Sequence, residues 1–230
     1  MEHILDNPIY NALRTGHRIF AEGNENATYY TATVASFAGL ATNSEQDFET
    51  LYKISPADSF FIVFTPTAMA IPRKWELVTH IDMFQLCYEL KELPAGNDIG
   101  FSDLADRHVP EMEALVSLTK PGPFLPRTIE LGNYTGVFKD KELVAMAGHR
   151  FNPSPYTEIS AVCTRPDHLG NGYAYGLLRE QIKRILAKTE IPFLHVRDDN
   201  EGAIKLYQKL GFEIRTPMIA YVIRKKTATY

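Results

Sequence analysis

Apolar residues in the second half of the chain recur at two clear periods. From Gly172 onward, Ala174, Leu177, Leu178, Ile182, Ile185 and Leu186 fall three and four residues apart, which predicts a helix of about four turns. Upstream, TEISAVCT (157–164) is a short apolar run with β-branched residues, and downstream PFLHV (192–196) is another; both predict strands. A second helix is expected from Asn200, a good N-cap, to Gly211, a good C-terminal stop. A final strand is expected around Met218 to Ile223, and NYTGVF and LVAMAGHR read as strands on either side of the turn Lys139-Asp140-Lys141. Earlier, Val109-Pro110-Glu111 opens a helix that carries Met112, Leu115, Val116 and Leu118 and is broken by Lys120-Pro121-Gly122-Pro123. A strand is expected between Asp98 and Leu104.

The first 95 residues are patterned less sharply. Asn7-Pro8 is a helix start, with Ile9, Leu13, Ile19 and Phe20 as a buried stripe up to Gly23. Ala27 to Leu40 reads as a strand or hairpin, Ser44 caps a helix through Ile54, and Phe60 to Thr65 is a strand. Trp75 to Tyr88 fits a strand or a helix. The turn-rich cluster Pro94-Ala95-Gly96-Asn97-Asp98 then predicts a boundary between an N-terminal α+β region (1–95) and a second domain (96–230). The second region alternates strand, glycine loop, helix, strand, helix and strand, an α/β arrangement.

Composition narrows the function classes. With 45% hydrophobic and 23% charged residues, the 230-residue chain reads as a globular protein able to bury a full core. A formal net charge of −4, with no basic run beyond Arg224-Lys225-Lys226 at a strand end, argues against nucleic acid. Two cysteines, Cys87 and Cys163, are too few for a disulfide framework or a zinc knuckle. No secretory leader pattern opens the sequence and no apolar stretch reaches the roughly 20 residues of a membrane span, so a cytosolic protein without membrane partners is expected. Seven histidines occur without HExxH or another ligand spacing, so no metal is expected.

The chemistry concentrates in TRPDHLGNGYAYGLL, Thr164 to Leu178. Glycines at a strand-to-helix junction let backbone N–H groups converge on an anion at the positive end of the helix. Gly170 and Gly172 leave room for a phosphate to approach the backbone. A P-loop would need GxxxxGK followed by Ser or Thr, which is absent. A dinucleotide fingerprint would place its third glycine at Tyr175, and although Asp198 ends the next strand, too little chain follows to complete a doubly wound sheet. A tight turn without a ligand is the remaining alternative.

Two further matches decide between these. Leu169-Gly170-Asn171-Gly172-Tyr173-Ala174 resembles the cofactor loop Arg/Gln-Gly-x-Gly-x-Gly/Ala of the GNAT superfamily of N-acetyltransferases, departing from it at Leu169. Asn200 to Phe212 resembles that family's Asn-x-x-Ala-x-x-Leu-Tyr-x-x-x-Gly-Phe helix. The resemblance spans about Asp98 to Lys226 and implies a mixed central sheet flanked by helices. It leaves residues 1–95 as either a degenerate GNAT-like half or an unrelated addition. It implies acetyl-CoA as co-substrate, with its pyrophosphate over the N–H groups from Leu169 to Ala174. The pantetheine arm is expected along a splayed strand edge at Val162, Cys163 and Thr164, with Asn200 and Ala203 on its other side. By the same resemblance Glu158 is the expected base for the amine and Tyr207 the expected acid for the departing thiolate. The partner is then a small-molecule or peptide amine, met by a monomer or homodimer.

Three other side chains offer chemistry or a purely structural role. Cys163 as an acylated nucleophile needs His149, His168 or His195 to activate it, yet a cysteine on an apolar strand is usually packing. His149 either borders the acceptor pocket or is structural, and His195 reads as a satisfied structural histidine. A non-catalytic acyl-CoA-binding module is the alternative to an enzyme.

Overall fold

The ends of the helices follow the caps written in the sequence. In the computed structural model, which describes residues 3–96 and 98–227, helix α1 spans Pro8–Arg14 and α2 spans Glu45–Ile54. Ser44 accepts from the Asp47 N–H and Asp47 reaches back, a capping box that fixes the start of α2. Helix α3 (Val109–Thr119) ends at Lys120 in the left-handed region, α4 spans Tyr173–Leu186, and α5 (Glu201–Leu210) is capped by Asn200 and closed by left-handed Gly211. The helix expected from Asn7 to Gly23 ends at Arg14. The Asn7 amide donates to the Leu40 carbonyl at 2.6 Å instead of capping, and residues 21–23 turn into a strand.

Strands β1 (Ala21–Gly23), β2 (Ala27–Tyr30) and β3 (Ala38–Leu40) form a small antiparallel sheet. The remaining strands are β4 (Phe60–Thr65), β5 (Trp75–Cys87), β6 (Ser102–Asp103), β7 (Thr135–Lys139), β8 (Glu142–His149), β9 (Tyr156–Thr164), β10 (Ile191–Arg197) and β11 (Glu213–Lys225). They make one eight-stranded sheet in the order β4-β11-β5-β10-β9-β8-β7-β6, antiparallel throughout except for the parallel pair β9 and β10. The ambiguous segment 75–88 is therefore a strand, while the strand expected over 98–104 is reduced to Ser102 and Asp103.

The boundary expected at 94–98 falls inside one continuous sheet. Strand β5, from the first region, lies between β11 and β10, from the second, and β4 pairs with β11. The turn itself is pinned to α4: the Tyr175 hydroxyl donates to the Ala95 carbonyl at 2.6 Å and Arg179 Nε to Pro94 at 2.8 Å. Gly and Pro marked a change of direction there, and strand pairing across it overrode the composition signal. Residues 1–95 thus form no sheet of their own beyond β1–β3; their other two strands complete the main one.

Both faces of the sheet's centre are covered, which explains the unbroken apolar run of β8. Leu143 and Met146 pack with Met112 and Leu115 of α3, whereas Val144, Ala145 and Ala147 pack with Leu177 of α4. A second cluster joins Ile182 and Ile185 of α4 and Tyr207 and Leu210 of α5 to Leu86, Ile159 and Leu194 of the sheet. On the opposite face Leu5, Ile9 and Leu13 pack with Phe64, Phe151 and Phe193.

Candidate active site

The site begins where two strands part. Parallel pairing of β9 with β10 runs from Tyr156 and Ile191 to Glu158 and Phe193 and stops there. Beyond that point β9 follows β8 to Thr164, while β10 follows β5 to Arg197. The cause is a bulge: the register with β8 jumps between Met146/Cys163 and Gly148/Ser160, so Ala161 and Val162 together oppose Ala147, and Ala161 takes φ +52°. Arg165 N–H donates to the Val144 carbonyl at 2.8 Å, so the ladder's alternation turns the Thr164 main-chain groups away from β8 and into the gap.

The gap is a cavity of about 440 Å³. The structure brings Val162, Cys163, Thr164, Asn200 and Tyr207 into its wall, while Ala203 packs instead beside the core cluster of α4 and α5. Asn200 reaches the wall although its side-chain oxygen is held by the Ala203 N–H at 3.1 Å. Sequence reading missed the far end of the cavity, where Phe37, Ile62, Phe64 and Met83 from the first region meet Arg150. No local pattern announces such residues, because they converge only when β4 and β5 enter the sheet. The segment Thr119 to Pro123 also lines the cavity.

The loop after β9 lies in the open. Gly170 and Gly172 have φ +81° and +75°, and a Cβ on either would meet nothing within 4 Å. Gly172 is the N-cap of α4 and no side chain caps that helix, so its first N–H groups keep their donors for a ligand. Leu169 is exposed, as are Asn171 and Gly172, while Tyr173 and Ala174 are half-buried. Gly172→Val places a β-branched residue in the left-handed region, at a cost of about 1–3 kcal/mol, and relief of that strain moves the N–H groups out of line. Its affinity for CoA is expected to fall by about tenfold or more in a titration, with the melting temperature of the free protein lowered by only about 2–4 °C per kcal/mol of that strain.

Glu158 stands apart from this cavity. It is 0% exposed, and Arg150 grips both its oxygens, Nε to Oε2 at 2.8 Å and Nη2 to Oε1 at 2.5 Å. His195 Nδ1 lies 2.6 Å from Oε1. Burial alone would raise its pKa, but the Arg150 charge and hydrogen bonds, helped by His195, hold it down to about 2. A carboxylate so occupied is ionised at neutral pH and has both oxygens engaged by Arg150 and His195. Its position four residues before Val162 is as the motif requires; the partners that neutralise it come from the residue after β8 and from β10 and could not be seen.

His195 is fixed on both sides. Arg215 Nε donates to Gln85 Oε1 at 2.5 Å and Gln85 Nε2 donates to the Leu5 carbonyl at 2.9 Å, which sets the orientation of that amide. Gln85 Nε2 therefore also faces His195 Nε2 as a donor, 2.9 Å away, leaving the Nδ1 proton for Glu158. Burial lowers the His195 pKa despite the adjacent carboxylate.

Cys163 is buried, and burial raises its thiol to about 11, so it holds no thiolate at neutral pH. His149 is buried outside the cavity wall with Nε2 unpartnered among the described residues. Burial, aided by the Lys188 and Arg184 charges, lowers its pKa to about 3, and burial lowers that of His17 to about 4. Both histidines bind a proton more readily in the unfolded chain, so the stability they contribute is present above about pH 6.5 and is lost as pH falls toward 4. Denaturant titrations are expected to show a loss of about 1.4 kcal/mol per pH unit from each across that interval. A flat profile between pH 6.5 and 4 would contradict the buried neutral state.

Among the described residues no group of three His, Cys, Asp or Glu side chains is arranged to hold a metal ion, and no helix is long and apolar enough to cross a membrane.

An open mixed sheet, a splayed parallel pair and an uncapped helix behind a glycine loop make up this site. Residues 134–220 match the family described as FR47-like protein. The structure superposes on a GNAT-family protein from Novosphingobium aromaticivorans with TM-score 0.90 and 32% identity, covering 98% of this chain and 100% of that one. A GCN5-related N-acetyltransferase from Kribbella flavida shares the fold at TM-score 0.61 and 13% identity, covering 96% and 95%. A GCN5-related N-acetyltransferase-like protein from Streptococcus suis does so at TM-score 0.55 and 14% identity, covering 94% and 100%. No curated protein matches the sequence. The chain belongs to the GNAT family, the acyl-CoA-dependent N-acetyltransferases.

Proposed function

We propose that this protein transfers an acetyl group from acetyl-CoA directly to a primary amine. The observation that supports it best is the convergence of the unpaired β9 edge at Val162–Thr164 and the Tyr207 side chain on one cavity. In this reading the CoA pyrophosphate rests on the N–H groups of the 169–174 loop and the first turn of α4. The pantetheine arm runs along Val162, Cys163 and Thr164, and a main-chain N–H of that edge faces the thioester oxygen.

An alkylammonium is mostly protonated at neutral pH and must first lose a proton. With Glu158 committed to Arg150, water takes that proton. The amine nitrogen then attacks the thioester carbon, the C–N bond forms and the oxygen carries the negative charge. Collapse breaks the C–S bond, the sulfur takes a proton from the Tyr207 hydroxyl, and the nitrogen's remaining extra proton passes through water to restore the tyrosine. The products are an N-acetyl amine and free CoA.

The test is release of free thiol from acetyl-CoA across a panel of primary amines. Acceptor-dependent release supports the enzyme. Tight acetyl-CoA binding with no release for any amine would instead identify a binding module.

A further inference from the structure

We infer that the acceptor is an amine carrying a carboxylate, an α-amino acid with an apolar side chain, held through its carboxylate by Arg150. The inference rests on the acetyltransferase reading of this cavity and concerns the end away from the β9 edge.

Among the described residues no Asp or Glu lines the cavity, whose wall includes Arg150, Lys120 and Arg197; the Glu158 carboxylate that balances Arg150 lies outside that wall. Arg197 is committed to Asp199, with Nε and Nη2 at 3.0 and 2.8 Å from the two carboxylate oxygens. A polyamine, an aminoglycoside or a lysine side chain carries cations that persist after one amine is acetylated. Such a ligand would have to shed water beside Arg150 without meeting any anion in the wall.

Arg150 itself has capacity to spare. Its Nε and Nη2 serve Glu158, while Nη1 donates to no group among the described residues. Its side chain keeps 17% exposure where its partner keeps none, and it borders two adjoining cavities. The guanidinium carbon lies among three rings, 5.3 Å from the Phe37 centroid, 5.5 Å from Phe64 and 4.7 Å from Phe151. A planar donor fixed in this way, with one face of its fork open, suits a carboxylate. Beside it the Ser160 hydroxyl has no partner among the described residues and lines the same space, offering a second donor.

The rest of that end is apolar: Phe37, Ile62, Phe64, Ile81 and Met83 face the cavity. A ligand with its carboxylate on Arg150 therefore places an apolar side chain against these residues and turns its amine toward the β9 edge.

The decisive comparison holds the side chain constant and removes only the carboxylate. Free CoA release is measured with phenylalanine and phenethylamine, methionine and 3-methylthiopropylamine, and with spermidine and an alanyl peptide. Phenylalanine or methionine is expected to exceed its decarboxylated partner by about 10²-fold in kcat/KM, the scale of a lost hydrogen bond to a charged group. Separately, 3-phenylpropionate, which has no amine, is expected to inhibit competitively against the amino acid. In Arg150→Gln/Glu158→Gln, which removes both charges together, that inhibition is expected to disappear while acetyl-CoA still binds. Equal or faster release with the decarboxylated amines, with spermidine or with the peptide overturns the inference and leaves the acetyltransferase reading intact. No release with any amine, while acetyl-CoA binds, overturns both.

Discussion

Tyr207→Phe is expected to lower turnover by about 10²–10⁴-fold, the range for loss of a general acid, while acetyl-CoA affinity changes little. The hydroxyl makes no hydrogen bond among the described residues and the ring sits in the cavity wall, so its removal costs the fold almost nothing. Burial raises the Tyr207 pKa to about 12, which keeps the proton on the oxygen at neutral pH. Donation from such a group to an ordinary thiolate, at about 8.5, would be uphill. The acceptor sulfur, however, shares the same dry wall. Burial raises the Cys163 thiol in that wall, and a thiolate leaving into the same dry space is made more basic for the same reason. That shift narrows the gap for proton transfer during C–S cleavage. Steady-state rates with a true acceptor check this; an unaltered kcat in Tyr207→Phe would reduce the residue to packing with Phe212 and Leu210.

The second large effect is on stability. Glu158→Gln leaves the Arg150 guanidinium buried without its anion, and breaking such a pair from one side costs about 3–5 kcal/mol. For a chain of this size that is about 10 °C in melting temperature. The depressed Glu158 pKa has its own signature, since its stabilisation holds above the ordinary carboxylate range and disappears only as pH falls toward about 2. Arg150→Met/Glu158→Leu, which removes both charges, is expected to recover much of the lost stability in a denaturant melt. Where Glu158→Gln remains folded, its rate should follow the parent's pH dependence. A variant with the parental melting temperature, slow at neutral pH and restored in alkali, would return Glu158 to the role of base.

These two residues also show how far the sequence could be read. Tyr207 sits three residues before Leu210 on an amphipathic helix with Asn200 at its start and Gly211 at its end, and every one of those signals is local. The glycine loop is equally local, because left-handed Gly170 and Gly172 and an uncapped helix need no distant partner. Glu158 was legible as a position but not as a chemical state. That state depends on His195, Gln85 and Arg215, on three different strands, and on Arg150, just past the end of a fourth, which meet only through sheet order. The same holds for the acceptor end of the cavity. Phe37, Ile62, Phe64 and Met83 belong to the weakly patterned first region, and the turn at 94–98 suggested a boundary where the chain instead carries β5 into the middle of the sheet.

Direct transfer within one complex is tested most directly by an initial-velocity matrix. Free CoA release is followed while acetyl-CoA and an accepted amine are varied together. Lines that intersect in the double-reciprocal plot are expected, because both substrates must occupy the cleft between β9 and β10 before the acetyl group moves. Parallel lines, with an acetyl group trapped on Cys163, would contradict it.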